Sequence, residues 1–352
     1  MNDILALARP EIRALRPAAA HVNGAAAAVR LHANENPWHD EADESPTALN
    51  RYFDGQPQAL ADALAAWYGV DPASVLVTRG SDEAIDLLVR AFCRAGEDRI
   101  LVCPPTFGMY RFSAEVQGAG VLAVPLADGF RLDAEALIRR WTPDVKVVFL
   151  CSPNNPTGNA LEPDSVERVL AALAGRAIVV VDEAYLEFSG QPGFIDRLPR
   201  QPGLVILRTL SKAHGLAGAR CGAAIAAPAL VELLGRIMPP YAMPGPTVAA
   251  ALAALDPARL ARTRHRIREI IVERERLGPA LAALPGVARV FPSEGNFLLV
   301  EFGDVARALR AAAADGLLLR EFPGQPGLAR CLRITVGSRV ENDRLLAALE
   351  RA

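Results

Sequence analysis

Lysine is nearly absent from this chain: of 38 cationic side chains in 352 residues, only Lys146 and Lys212 are lysine. Arginine therefore holds almost every fixed positive charge. A guanidinium stays protonated and does not readily form an imine with an aldehyde. A desolvated or charge-crowded lysine amine can lose its proton and act as a nucleophile. The two lysines are thus candidates for chemistry that arginine cannot do. Cysteine is scarce too. Cys93, Cys103, Cys151, Cys221 and Cys331 are scattered without CxxC spacing, and their odd number and apolar settings favour reduced, buried thiols in the cytoplasm. Of the five histidines only His32 and His39 lie near each other, and no Cys or Asp pair completes a metal-ligand pattern, so no metal is expected. A net charge of −2 gives no reason to expect nucleic acid or an anionic membrane as partner. No apolar run approaches the roughly 20 residues of a membrane span, and the N-terminus lacks the basic start and apolar core of a secretory signal.

What is present is half apolar, 51%, enough for a sizeable core. Residues 1–50 are irregular and rich in Pro, Asn and Asp, with one helical stretch expected near Ile4–Leu15. From about residue 57 helices alternate with short apolar strands. QALADALAAWYGV (58–70) has an amphipathic helical pattern, and SDEAIDLLVRAFC (81–93) reads as a helix capped by Ser81 with Asp82 and Glu83 in its first turn. Strands are expected at 74–80, 99–105, 120–126, 145–153, 177–185, 204–211 and 221–227. Several are continuous apolar runs, the mark of strands buried on both faces. The pattern predicts an α/β unit with a mostly parallel sheet. After PPYAMPGPT (239–247) the grammar changes to a long Arg/Glu-rich helix (about 257–284), strands within 287–302, a helix (304–315), strands at 316–320 and 331–337, and a final helix. That is an α+β unit of its own.

Open α/β sheets place ligands at the carboxyl ends of their parallel strands. Asp182 and Tyr185 stand at the end of one expected strand, Asn155 just past a second, and Lys212 just after a third. Lysine, aspartate, tyrosine, asparagine and a cluster of phosphate-sized donors together point to a pyridoxal-phosphate enzyme. A buried aspartate such as Asp182 keeps the ring nitrogen of that cofactor protonated, which makes the ring an electron sink. Tyr185 and Asn155 are suitable donors to its phenolate oxygen, although Asn155 in NNPTG is equally a turn residue. Gly80-Ser81-Asp82 opens a helix whose free N–H groups suit a phosphate; Ser211 and Arg220 add a hydroxyl and a guanidinium fork. A serine at a helix start is most often only a cap, so that assignment leans on Lys212 and Asp182. Phe107 in PPTFGMY (104–110) could stack on the pyridine face or be an ordinary core aromatic.

From about residue 29 to the end the chain resembles the fold-type-I pyridoxal-phosphate aminotransferases and, within them, the histidinol-phosphate aminotransferase family. The resemblance is carried by LHANENP (31–37), NRYFDGQP (50–57), TRGSDEAIDLLVRAF (78–92), PPTFGMY, FLCSPNNPTG (149–158), VVDEAYLEF (180–188), LRTLSKAHGLAGARCG (207–222), EGNFLLV (294–300) and LRITVG (332–337), in that order.

The resemblance implies a seven-stranded, mostly parallel sheet between helices. It divides the chain into an N-terminal arm with part of the small domain (1–50), a large cofactor-binding domain (51–245) and a small α+β domain (246–352). It implies a cytoplasmic homodimer that acts on small molecules, transferring the amino group of L-histidinol phosphate to 2-oxoglutarate in histidine biosynthesis. Lys212 would carry the cofactor and shuttle the proton, with Asp182 and Tyr185 as its catalytic partners. Ser81, Asp82, Ser211 and Arg220 would bind the cofactor phosphate, joined by Tyr52 from the other subunit. Phe107 and Asn155 complete the cofactor site, and Arg320, Arg333 and Asn34 would bind substrate. Relatives commonly carry a phosphate-binding tyrosine where this chain has Ala18, a departure that bears on substrate affinity rather than on amino transfer. The rival readings are an aromatic amino-acid aminotransferase of the same subfamily, a phosphothreonine decarboxylase, or a pyridoxal-phosphate-binding protein without turnover.

Overall fold

Seven short strands, β1 (Val75–Thr78), β2 (Arg99–Val102), β3 (Gly120–Ala123), β4 (Val145–Cys151), β5 (Ile178–Asp182), β6 (Leu204–Thr209) and β7 (Gly222–Ala226), form one sheet in the order β1-β7-β6-β5-β4-β2-β3. The architecture comes from a computed structural model that describes residues 4–16, 31, 33–39, 49–52 and 56–351. Neighbouring strands from β6 through β5, β4 and β2 to β3 run parallel, while β7 is antiparallel to both β6 and β1. The expected mostly parallel seven-stranded sheet is thus present, with β7 as the reversed strand.

Continuous apolar runs are buried on both faces because strand side chains alternate. On β5, Val179 and Val181 enter one core while Ile178 and Val180 enter the other; Leu204 and Ile206 of β6 are likewise opposed to Val205 and Leu207. The helix Ser81–Phe92 covers the second core with Ala84, Ile85, Leu88 and Phe92. The helix Pro163–Leu173 covers the first with Val166, Val169, Leu170 and Leu173.

A second, antiparallel sheet holds β8 (Val287–Val290), β9 (Phe297–Phe302), β10 (Arg320–Glu321) and β11 (Cys331–Thr335), in the order β10-β11-β9-β8. One face packs Leu298, Val300, Leu332 and Ile334 against Leu277 and Leu281 of the long helix Pro257–Ala282 and Leu345 of the final helix. The opposite face carries Leu299 and its cross-strand partner Arg333.

Two local expectations are corrected. The helical stretch expected near Ile4–Leu15 is broken into a 3₁₀ turn, Ile4–Leu7, and a short helix, Pro10–Arg13. Pro10 has no N–H to continue the first turn and instead starts the second. Ser81 is not the cap of its helix. Gly80 is, at φ 78°, and Ser81 is the first helical residue. All five cysteines are free and buried. Among the described residues no helix is long and apolar enough to cross a membrane, and no His/Cys/Asp/Glu group could hold a metal ion.

Behind the strand ends lies a buried charge network. Arg208 of β6 donates to Glu183 at 2.8 Å and to Glu187 at 2.9 Å, and its guanidinium carbon lies 5.0 Å from the Tyr68 ring centroid. Glu183 also accepts the Phe194 N–H at 2.7 Å. Removing one member of a buried ionic set strands the remaining charge, which typically costs about 3–5 kcal/mol. Arg208→Met should therefore lower the unfolding free energy by about that amount in urea titrations, because two carboxylates lose their cation. A loss below about 1 kcal/mol would show that the carboxylates escape to solvent instead.

Candidate active site

Parallel β4, β5 and β6 lie side by side, so their carboxyl ends share one edge of the sheet. At that edge a cavity is lined by Ser81, Asp82, Phe107, Asn155, Asp182, Tyr185, Ser211, Lys212, Arg220 and Arg333, with Cys151, Ala184 and Thr209. Ten of the expected site residues thus meet in one place, although they are spread from position 81 to 333 in the chain.

One group of lining residues suits an anion. The first turn of the helix Ser81–Phe92 leaves backbone N–H groups without intrahelical partners. Because Gly80 rather than Ser81 is the cap, the Ser81 side chain makes no cap hydrogen bond. Arg220, itself in the left-handed region at φ 54°, reaches over this turn and pairs with Asp82 at 2.9 Å. A Cβ on Gly80 would come within 2.6 Å of the Arg220 guanidinium, and a Cβ on Gly222 within 2.8 Å of the Gly80 and Ser81 backbone. Glycine at 80 and 222 is what lets the arginine and β7 approach the helix start so closely.

Another lining group suits a cation. Asp182 is 2% exposed, and its two hydrogen bonds come from neutral donors, the Tyr110 hydroxyl at 2.8 Å and the Ala184 N–H at 3.1 Å. Burial pushes its carboxyl up to about 6, against the lowering effect of those donors. Lys212 lines the same cavity, its Nζ 5.7 Å from the Tyr185 ring centroid. Burial, and then the charges of Arg333 and Arg220, hold its amine below the usual lysine range. Asn155 donates to the Tyr185 hydroxyl at 3.1 Å, while its own side-chain carbonyl accepts from Arg333. Arg333 comes from β11, so the second sheet closes the cavity of the first.

Phe107 lines the cavity and meets Tyr110 edge-on at a centroid distance of 5.6 Å. Three expected residues are not among the lining groups. Tyr52 is stacked on Tyr241 at 4.3 Å. Arg320 is exposed on β10, directly across from Arg333 in the strand register. Asn34 is exposed at φ 55°. Ala18 lies outside the described residues. Sequence reading missed Tyr110, the partner of Asp182. It closes the string PPTFGMY (104–110) on the helix Met109–Gln117, where only Phe107 drew a role and Tyr110 read as one more core aromatic.

A model of the family described as aminotransferase class I and II matches residues 26–349. A histidinol-phosphate aminotransferase of Stenotrophomonas maltophilia is 48% identical over 99% of this chain and 97% of its own length. One from Xylella fastidiosa is 51% identical over 91% and 88%. The chain belongs to the class I and II aminotransferases, in the histidinol-phosphate aminotransferase family. A solved member from Sinorhizobium meliloti, in complex with pyridoxal-5′-phosphate, superposes with a TM-score of 0.77 at 30% identity, covering 86% of this chain and 83% of that one.

The buried carboxylate gives this aminotransferase a pH signature when free of cofactor. Asp182 titrates higher folded, at about 6, than the 3.8 of an unperturbed carboxyl. Its contribution to stability is therefore full below pH 3.8 and lost as pH rises through 6, a swing of about 3 kcal/mol. Asp182→Asn removes the swing. In urea titrations of cofactor-free protein, the variant should gain on wild type as pH rises from 4.5 to 7.5. A stability difference that stays flat across that range would mean Asp182 titrates normally.

Proposed function

We propose that this aminotransferase uses pyridoxal 5′-phosphate to exchange the amino group of L-histidinol phosphate with 2-oxoglutarate, giving imidazole-acetol phosphate and L-glutamate in L-histidine biosynthesis. The observation that carries the reading is that one cavity is lined by a helix start with Ser81 and Arg220, an amine at Lys212 and a buried carboxylate at Asp182. Those three kinds of group suit the cofactor's phosphate, aldehyde and ring nitrogen. When bound, the cofactor supplies an aldehyde carbon and an electron-withdrawing ring.

In this reading Ser81, Asp82, Ser211 and Arg220 hold the phosphate, Arg220 through its guanidinium fork and the serines through hydroxyl and backbone donors. Phe107 covers a ring face. Asn155 and Tyr185, already hydrogen-bonded to each other, donate to the phenolate oxygen. Asp182 fixes positive charge at the ring nitrogen, which relieves its own burial in the same contact. Lys212 Nζ, whose hold on its proton is weakened by burial and then by its cationic neighbours, takes and returns the proton at the substrate α-carbon. Arg333 and Arg320 bind the substrate phosphate and, in the other half-reaction, a glutamate carboxylate, and Asn34 is a further substrate-binding residue. Tyr52 completes the phosphate site of a second copy, so the active unit is a homodimer of cytoplasmic enzyme. The division into an arm (1–50), a large domain (51–245) and a small domain (246–352) belongs to the same proposal, supported by two sheets that end at Ala226 and begin at Val287.

Lys212→Ala should abolish multiple turnover while leaving cofactor uptake largely intact, because the proton transfer needs an amine at this point. Near-normal steady-state turnover in that variant would sink the site assignment.

The substrate claim rests on the arginines. A charge-assisted contact contributes about 1.5–3 kcal/mol, so Arg320→Ala should raise KM for histidinol phosphate roughly 10-fold or more. The effect on phenylalanine should be smaller. The direct check is a half-reaction screen of wild-type enzyme against histidinol phosphate, phenylalanine, tyrosine and aspartate, followed by cofactor absorbance. Equal efficiency toward phenylalanine and histidinol phosphate would transfer the reading to an aromatic amino-acid aminotransferase.

A further inference from the structure

Asp182 has two oxygens, and each already has a partner of its own. Oδ1 accepts the Ala184 N–H at 3.1 Å, which ties the carboxylate to the turn after β5. Oδ2 accepts the Tyr110 hydroxyl at 2.8 Å. Tyr110 comes from a different element, the helix Met109–Gln117, and is fully buried. Its ring is fixed on two sides, stacked on Phe149 at 4.6 Å and edge-on to Phe107 at 5.6 Å. The hydroxyl is therefore delivered to Asp182 with almost no freedom to turn away.

We propose that Tyr110 is a positioning residue for the reaction: its hydroxyl donates to Asp182 Oδ2 and holds that group as a carboxylate, so that the proton shared with the cofactor's ring nitrogen stays on the nitrogen. This rests on the pyridoxal-phosphate reading above. A carboxylate and a pyridine nitrogen compete for one proton. Burial raises the proton affinity of the carboxylate, which draws the proton away from the ring and weakens it as an electron sink. A phenol donor works in the opposite direction, because it hydrogen-bonds best to the charged form.

The other groups facing Asp182 cannot replace it. Cys151, at the end of β4, is a buried thiol held neutral by burial. Asp82, on the helix Ser81–Phe92, raises the carboxyl's proton affinity, and Lys212 after β6 lowers it only as a lesser influence. Tyr110 is the strongest of the influences that favour the ionised form.

Tyr110→Phe tests this while keeping the ring between Phe149 and Phe107. In cofactor-free protein, the Asp182 carboxyl is followed by carbon NMR of labelled aspartate and assigned by its loss in Asp182→Asn. Its pKa should rise by about one unit or more in Tyr110→Phe. With ring-labelled pyridoxal phosphate bound, the ring-nitrogen resonance should move from the protonated toward the unprotonated position, and kcat should fall roughly 10-fold with KM for histidinol phosphate unchanged. A role in packing alone predicts that Tyr110→Ala is destabilised while Tyr110→Phe keeps the wild-type carboxyl pKa and nitrogen shift; that result overturns the proposal. Failure of wild-type protein to take up pyridoxal phosphate would overturn the cofactor reading instead, and the carboxyl titration would still decide whether Tyr110 sets the charge of Asp182.

Discussion

A carboxylate at 2% exposure with only neutral hydrogen-bond donors is the constraint on which this structure turns. Burying an ion without a counter-charge costs several kcal/mol even after relaxation. Asp182 is therefore a standing demand for a cation, placed at the carboxyl end of β5, where the sheet opens. The strand that carries it shields it from behind. Val179 and Val181 are buried in one core and Val180 in the other, which leaves the carboxylate facing the cavity it lines. In the proposed reading, a ligand that brings a protonated nitrogen relieves the cost, and the same contact makes that ligand reactive.

The rest of the site is arranged around that axis by elements from distant parts of the chain. The group that suits an anion depends on backbone proximity: glycine at 80 and at 222 lets Arg220 and β7 close on the helix start, where a methyl group would collide with backbone or guanidinium atoms. Another part of the lining depends on the second sheet. Arg333 on β11 takes the carbonyl of Asn155, whose amide then points at Tyr185. One arginine thereby orients two cavity-lining side chains and crowds Lys212 with positive charge. The Arg208–Glu183–Glu187 network lies behind β5 and β6 and locks the two strands whose ends carry Asp182 and Lys212.

Much of this was legible in the sequence, for a physical reason. Strands buried on both faces must be continuous apolar runs, so VKVVFLC, IVVVD and LVILRT announced β4, β5 and β6 and, with them, the edge where Asn155, Asp182 and Lys212 meet. Helix starts and breaks were less legible. The choice between Gly80 and Ser81 as cap depends on a positive φ that composition does not reveal, and Pro10 was weaker as a signal than the apolar spacing around it. Tyr110 was invisible, because a hydrogen bond across 72 positions leaves no local pattern. Tyr52, Arg320 and Asn34 were proposed from resemblance alone, and none of them lines the cavity of its own chain.

The scarcity of lysine takes on a meaning in this geometry. Lys146 is at the amino-terminal end of β4, bonded to the Pro143 carbonyl at 2.7 Å and 3.6 Å from Asp98. Parallel strands put that end on the edge of the sheet opposite the cavity. Among the described residues, Lys212 is then the one side-chain amine at the site, and the neighbouring cations are arginines. Had Arg220 or Arg333 been lysine, the site would hold a second titratable amine, which in the proposed reading would compete for the same cofactor aldehyde. The charge that depresses Lys212 would also fade as that amine lost its proton. A guanidinium holds its charge across the working pH range. It therefore keeps the field on Lys212 constant and leaves the aldehyde a single nucleophile.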